Sequence, residues 1–266
     1  MAIELHDIEP LRPLLKHRPL GILSDIDGTV APIVPNPEDA HITARASELI
    51  GSLLDAGVRI AFVTGRALEK AREMVEFPDV YFAANHGLNI LVNGTIETPE
   101  SVRPYVGWAG DVLKDLSVIA VPGVVVEDKG PVIAFHYRKA ESEAEAVEAI
   151  WAAIRSSQAA QAFRVQEGRK VLELRPPLSI DKGTAVDTLA KRMEVQSVIC
   201  LGDDATDMDM FLGVERLKAH GLPAVSVAVW SPEIPATVLD HTDYMVRGVE
   251  GTEWLLQELL KAIRES

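Results

Sequence analysis

Asp25 and Asp27 stand two residues apart at the end of the apolar run Leu20 to Leu23, and Gly28-Thr29 follows them as a turn. On a strand, that spacing puts both carboxylates on one face. A hydrophobic run leading into them reads as a buried strand. Two acids at its end are costly unless a cation or a reaction uses them. The pattern therefore points to phosphate chemistry assisted by a divalent metal; the competing reading is an acidic, solvated turn. Gly202-Asp203-Asp204-Ala205-Thr206-Asp207 repeats the theme after the apolar run ending at Leu201. Its clustered carboxylates suit a hard, oxygen-ligated cation. Capping of a helix starting at Met208 accounts for Asp207 but poorly for Asp203.

Three further motifs sit at expected strand ends or helix starts. Val63-Thr64-Gly65-Arg66 offers a hydroxyl and a glycine that lets the backbone approach an anion; Thr64 could instead cap the helix that follows. Ala84-Asn85-His86-Gly87 could touch substrate or simply make a polar turn. Asp181-Lys182-Gly183 opens a helix. A lysine there opposes the helix dipole, which makes sense if an anion also sits there; the alternative is a solvated lysine.

These residues need elements to hold them. Apolar runs at Gly21 to Asp27, Arg59 to Thr64 and Val80 to Ala84 alternate with helical spacing at Thr43 to Asp55 and Ala67 to Glu76. Asp181 to Arg192, Ser197 to Leu201, a helix from Met208, Val225 to Trp230, Tyr244 to Arg247 and Thr252 to Arg264 resume the alternation. That order predicts parallel strands with crossover helices, whose ligands bind beyond the carboxyl ends of the strands. The middle differs. A helix over Tyr105 to Leu116 precedes a hairpin, Val121 to Glu127 and Val132 to Lys139; a long helix, Glu141 to Gln161, precedes another, Phe163 to Gln166 and Lys170 to Arg175, turning at Glu167-Gly168-Arg169. The expected architecture is α/β: a Rossmann-like parallel-sheet core over 1–100 and 178–266, interrupted by an α+β insert over 101–177. Pro-bearing junctions at both edges predict a hinge.

With 266 residues, 47% of them hydrophobic, the chain has ample core material for this organisation. A formal net charge of −14 argues against nucleic acid and anionic membranes as partners. An anionic substrate must be received by a local cluster of metal, Lys and Arg. The single cysteine, Cys200, lies in an apolar run and is expected to be a buried strand residue. Met1 to Leu20 lacks a continuous apolar core, and no run approaches the length of a membrane span, so a cytoplasmic location is expected. No Gly-x-Gly-x-x-Gly follows the first strand, which argues against a nucleotide oxidoreductase.

Asp pair, Thr, Lys and acidic cluster, in that order, resemble the motif set of the haloacid dehalogenase superfamily of phosphatases, and they span the core almost end to end. The resemblance implies that Asp25 is the nucleophile and that Asp27 is first the general acid, then the base. It implies Mg²⁺ held by Asp25, the Asp27 carbonyl and Asp203, supported by Asp207 and Asp204. It assigns Thr64, Gly65 and Lys182 to the phosphoryl oxygens.

The insert resembles the cap of the trehalose-6-phosphate phosphatase family in Glu127-Asp128-Lys129, Phe135-His136-Tyr137-Arg138 and Leu172-Glu173-Leu174-Arg175-Pro176. The run Gly202 to Phe211 shares that likeness, although Met208 stands where the family usually has Glu. Alternation predicts His136 with Arg138 on one strand face and Glu173 with Arg175 on another, a polar surface suited to sugar hydroxyls or else a solvated outer face. The resemblance favours sugar binding by Glu127, Lys129, His136, Arg138 and Glu173, with Arg66, Asn85 and His86 as core candidates. The implied partner is a small sugar phosphate. A related sugar phosphatase, acting on sucrose 6-phosphate or a glycosylglycerate phosphate, and a non-catalytic sugar-phosphate sensor are the alternatives. The pattern leaves oligomeric state and any synthase partner open.

Overall fold

The computed structural model describes residues 2–115, 121–168 and 170–265. Leu116, the expected end of one helix, and Arg169, in the expected second hairpin turn, lie outside the described residues, as does Met1. The chain divides into two compact units, Met1–Glu97 with Ile180–Ser266, and Thr98–Ser179.

The first unit opens with β1 (Ile3–Glu4), β2 (Leu20–Ser24), α1 (Ala44–Asp55) and β3 (Arg59–Val63). It continues through α2 (Leu68–Met74), β4 (Tyr81–Ala84), β5 (Asn89–Val92) and β6 (Thr95–Glu97). The second unit holds α3 (Arg103–Asp115), β7 (Val125–Asp128), β8 (Ile133–His136), α4 (Glu143–Ser156), β9 (Arg164–Gly168) and β10 (Val171–Arg175). The chain then returns to the first unit with α5 (Lys182–Arg192), β11 (Ser197–Gly202), α6 (Met208–Ala219) and β12 (Ala224–Trp230). It ends with α7 (Ala236–Asp240), β13 (Tyr244–Arg247) and α8 (Gly248–Glu265).

The first unit is built on a nine-stranded sheet in the order β1-β13-β12-β11-β2-β3-β4-β5-β6. From β1 to β4 every pairing is parallel. The α/β class expected from the alternation is therefore present. The sheet departs from it at one edge, where β5 and β6 add on antiparallel. Asn93 and Gly94, both with left-handed φ (48° and 76°), make the tight turn between them.

Alternation along the central strands feeds two cores. Ile22, Ile60, Phe62, Ile199 and Leu201 point to one side, where they meet Leu49 and Leu53 of α1 and Leu255 and Leu259 of α8. Their neighbours Leu23, Ala61, Val63, Val198 and Cys200 point to the other, against Val186 and Leu189 of α5 and Phe211 and Val214 of α6. Both faces of β2 and β11 are thus covered, and each large apolar side chain so buried contributes about 1.5–3 kcal/mol. Caps fix the helix starts: the Thr43 hydroxyl accepts from the Ala46 N–H at 2.9 Å. This packing makes the β2 and β11 ends rigid platforms.

The second unit is a four-stranded antiparallel sheet, ordered β7-β8-β10-β9. Ile133, Phe135, Leu172 and Leu174 cover one face, against Ala109 and Val112 of α3 and Ile150 and Ile154 of α4. The strands of the first hairpin are shorter than the apolar runs predict. β8 ends at His136: the Tyr137 N–H still follows the ladder to the Lys170 carbonyl (3.1 Å), but the Ala140 N–H closes a turn on the Tyr137 carbonyl (3.1 Å) and carries the chain off the sheet. Arg138 is exposed beyond the strand and does not share a strand face with His136. The long helix stops at Ser156, since Ser157 is extended, and a short 3₁₀ turn follows over Ala159–Ala162. Among the described residues, no helix is long and apolar enough to cross a membrane.

Candidate active site

The carboxyl ends of β2 and β11 lie side by side, and the Asp25 N–H continues the ladder to the Leu201 carbonyl at 2.9 Å. This adjacency brings Asp25 together with Asp203 and Asp207, residues far away in sequence. One carboxylate oxygen from each lies within 4.8 Å of the others, and all three residues are buried. Lys182, at the first turn of α5, joins them: its Nζ is 2.8 Å from Asp25 Oδ1 and 2.7 Å from Asp207 Oδ1. It is only 4% exposed, so the solvated-lysine reading fails. Asp181 caps α5 through the Thr184 N–H at 2.8 Å, which holds the lysine at the helix start.

Asp207 is held by three protein donors. Its Oδ2 accepts the N–H groups of Asp203 (2.9 Å) and Asp204 (3.1 Å), while Oδ1 takes Lys182. Asp204 caps the turn by accepting from the Thr206 N–H. Asp203 is held through Thr29, whose hydroxyl donates to it at 3.3 Å. Gly28, with φ +81°, lies so close that a Cβ there would overlap the Asp203 carboxylate. Neither Gly28 nor Thr29 was among the expected site residues; their position directly after the Asp pair was the available signal.

The electrostatics are those of excess negative charge. Burial, reinforced by Asp207, Asp203 and Asp27, pushes Asp25 well above the ordinary carboxylate range despite Lys182. Burial, then Asp207 and Asp204, push Asp203 up to about 7. Burial alone would lower Lys182, but the attraction of Asp207 and Asp25 outweighs it and raises that amine. Full ionisation of three carboxylates beside one ammonium would leave two negative charges uncompensated, which is why Asp25 and Asp203 hold their protons so tightly. The donor set (all oxygen, all carboxylate) fits a hard divalent cation.

A pH dependence follows. Asp203 binds its proton more tightly folded than unfolded, so its contribution to stability is present below pH about 4 and lost as pH rises through about 7. Chelator-treated protein is expected to lose up to a few kcal/mol of stability between pH 5 and pH 8, since each tenfold difference in proton affinity corresponds to about 1.4 kcal/mol. The loss should appear as a falling melting temperature. Divalent metal should flatten that dependence, and Asp203→Asn should remove this part of it. A pH-independent melting temperature without metal would contradict the charge account.

The expected core residues Thr64, Gly65, Arg66, Asn85 and His86 gather after the ends of β3 and β4. Thr64, buried at the end of β3, accepts the Arg66 N–H on its hydroxyl at 3.1 Å and does not cap α2, which begins after Ala67. The loop is stapled to the next one: the His86 N–H reaches the Thr64 carbonyl and the Asn85 N–H the Arg66 carbonyl, both at 2.9 Å. Asn85 and His86 carry left-handed φ values of 50° and 58°, uncommon for such residues. A Cβ on Gly65 would lie 2.6 Å from His86 Nε2, so the imidazole packs over the glycine. The Asn85 side chain turns away to Asn89 Oδ1 at 2.8 Å. Arg66 grips Asp27 with Nε at 2.6 Å and Nη2 at 2.7 Å. Met208 packs partly buried against the second core.

Within the second unit, the face opposite the apolar cluster is a polar network. Register places Glu127, Ala134, Glu173 and Gln166 in one row across the sheet. Lys129, 9% exposed in its side chain, donates to Glu173 at 2.8 Å and stands 3.9 Å from Glu127. His136 Nε2 is 2.8 Å from Glu127. Arg175, absent from the expected site residues, is buried and donates to Gln166 at 2.8 Å. Glu173 and Arg175 each have a partner on another strand or turn, so the solvated surface pair is not what forms.

A family model described as Trehalose_PPase, trehalose-phosphatase, matches residues 23–237. The trehalose-phosphate phosphatase of Mycobacterium leprae (strain TN) is 29% identical over 262 residues, covering 90% of this chain and 60% of that protein. The trehalose-phosphate phosphatase of Mycobacterium tuberculosis (strain H37Rv) is 32% identical over 246 residues, covering 85% of this chain and 61% of that protein. The chain thus spans about 60% of the length of these relatives. Among solved structures, a trehalose-6-phosphate phosphatase related protein superposes with a TM-score of 0.75 at 22% identity, covering 92% of this chain and all of that one, a likeness of fold.

Proposed function

Because the chain belongs to the trehalose-phosphatase family, we propose that it hydrolyses trehalose 6-phosphate to trehalose and phosphate through a phosphoryl group carried on Asp25. The observation that carries this reading is the buried trio Asp25, Asp203 and Asp207 around Lys182 at the ends of adjacent parallel strands. Asp25 attacks phosphorus, the bond from phosphorus to the sugar oxygen breaks, and Asp27 gives that oxygen a proton. A water then attacks phosphorus, Asp27 takes its proton, and phosphate leaves with Asp25 restored. Thr64, Gly65 and Lys182 hold the phosphoryl oxygens. Asp25, the Asp27 carbonyl and Asp203 would hold Mg²⁺, supported by Asp207, which three protein donors fix in place. The ion would supply charge neutralisation to the phosphoryl group. Glu127, Lys129, His136 and Glu173 would meet the sugar hydroxyls, their polar network offering donors and acceptors in fixed positions.

A substrate panel with Mg²⁺ tests the assignment: trehalose 6-phosphate beside glucose 6-phosphate, sucrose 6-phosphate and a glucosylglycerate phosphate. Selective release from the first is expected. Release from another ester alone would move the substrate and keep the chemistry. Binding without release from any would favour a sugar-phosphate sensor.

A further inference from the structure

We propose that Arg66 is a positioning residue for Asp27, fixing the plane of that carboxylate for its proton transfers rather than contacting sugar. The inference rests on the phosphatase reading above. The contact is side-on and two-pronged, Nε to Oδ2 at 2.6 Å and Nη2 to Oδ1 at 2.7 Å. Such a fork fixes both the distance and the plane of a carboxylate, which a single hydrogen bond does not.

Both ends of the pair are anchored. The Arg66 N–H is held by the Thr64 hydroxyl at 3.1 Å, and its carbonyl accepts the Asn85 N–H at 2.9 Å. Asp27 sits in a tight turn, bridged to Ala31, with the Gly28 N–H on the Ala31 carbonyl at 2.7 Å. The pairing of Ser24 with Phe62 across β2 and β3 brings these two loops out side by side. Arg66 therefore ties the loop of the expected phosphate-binding threonine to the loop of the expected acid.

The pair contributes some stability of its own: the Arg66 side chain is 18% and that of Asp27 36% exposed, and an exposed pair contributes about 0.2–1 kcal/mol, more where the fork is bidentate. That contribution does not require the pair to stand at the expected acid. Positioning leaves room for reaction, since a carboxylate has about four acceptor sites and the fork uses two. Each Asp27 oxygen keeps a site for the leaving oxygen or for water.

The test is a double-mutant cycle on trehalose 6-phosphate with Arg66→Gln, Asp27→Asn and the pair, alongside 4-nitrophenyl and phenyl phosphate. Arg66→Gln is expected to lower kcat about 10²-fold with little change in KM, the scale of a misplaced catalytic group. Adding it to Asp27→Asn should cost nothing more. Phenyl phosphate, whose poorer leaving group needs the acid, should lose far more than 4-nitrophenyl phosphate. Arg66→Lys, which keeps the charge but not the fork, should keep the defect. Additive losses overturn the inference, as does a rise in KM for the sugar ester alone, which would make Arg66 a sugar ligand. If the aryl esters are not turned over, the cycle on trehalose 6-phosphate decides alone. A wild-type protein inactive on every ester would overturn the phosphatase reading itself, a failure distinct from additivity in an active enzyme.

Discussion

Asp25→Asn is expected to abolish phosphate release from trehalose 6-phosphate, by about 10⁴-fold or more, as removal of a nucleophile does elsewhere. The substitution is nearly isosteric, and its amide oxygen still accepts from Lys182, which is 2.8 Å away. It also replaces an acid that burial and its neighbours Asp207 and Asp203 already disfavour as an anion. The inactive variant should therefore melt no lower than wild type without metal, and unchanged circular dichroism would separate lost chemistry from lost fold. Turnover near the wild-type rate would remove Asp25 from the mechanism.

Lys182→Met carries the second large effect, and it is on stability as well as rate. The lysine is the one cation that the described residues place between Asp25 and Asp207. Breaking a buried pair by removing one partner costs about 3–5 kcal/mol, because the other charge stays behind uncompensated. At roughly 2–4 °C per kcal/mol for a chain of this size, the melting temperature should fall by about 6–20 °C. Saturating Mg²⁺ should recover part of that fall by supplying replacement positive charge. It should not recover activity, since the phosphoryl oxygens would still lack their ammonium. A melting temperature unchanged from wild type would show that the charges are balanced in some other way.

Much of this site was legible from local pattern. Asp25, Lys182 and Asp203 each stand where an apolar run ends or a helix begins, and the fold brings those ends together. The antiparallel edge was less visible. The Asn93-Gly94 turn is a strong hairpin signal, but β5 and β6 are short and their pairing depends on a reversal through Asn85–Gly87. β1 is only two residues long and exists because β13 offers it an edge. The grip of Arg66 on Asp27 could not be read from spacing, because it joins residues 39 apart whose meeting depends on β2 and β3 being neighbours. Arg138 misled for the opposite reason. Alternation predicted a strand through it, but a turn at Tyr137 ends the strand first.

The most direct test of the central claim is to trap the phosphoryl group. Protein turning over trehalose 6-phosphate with Mg²⁺ would be acid-quenched, digested and mapped by mass. One acid-stable, base-labile phosphoryl group is expected on the peptide containing Asp25, present in wild type and absent from Asp25→Asn. A phosphoryl group on another residue, or sustained phosphate release by Asp25→Asn, would contradict it.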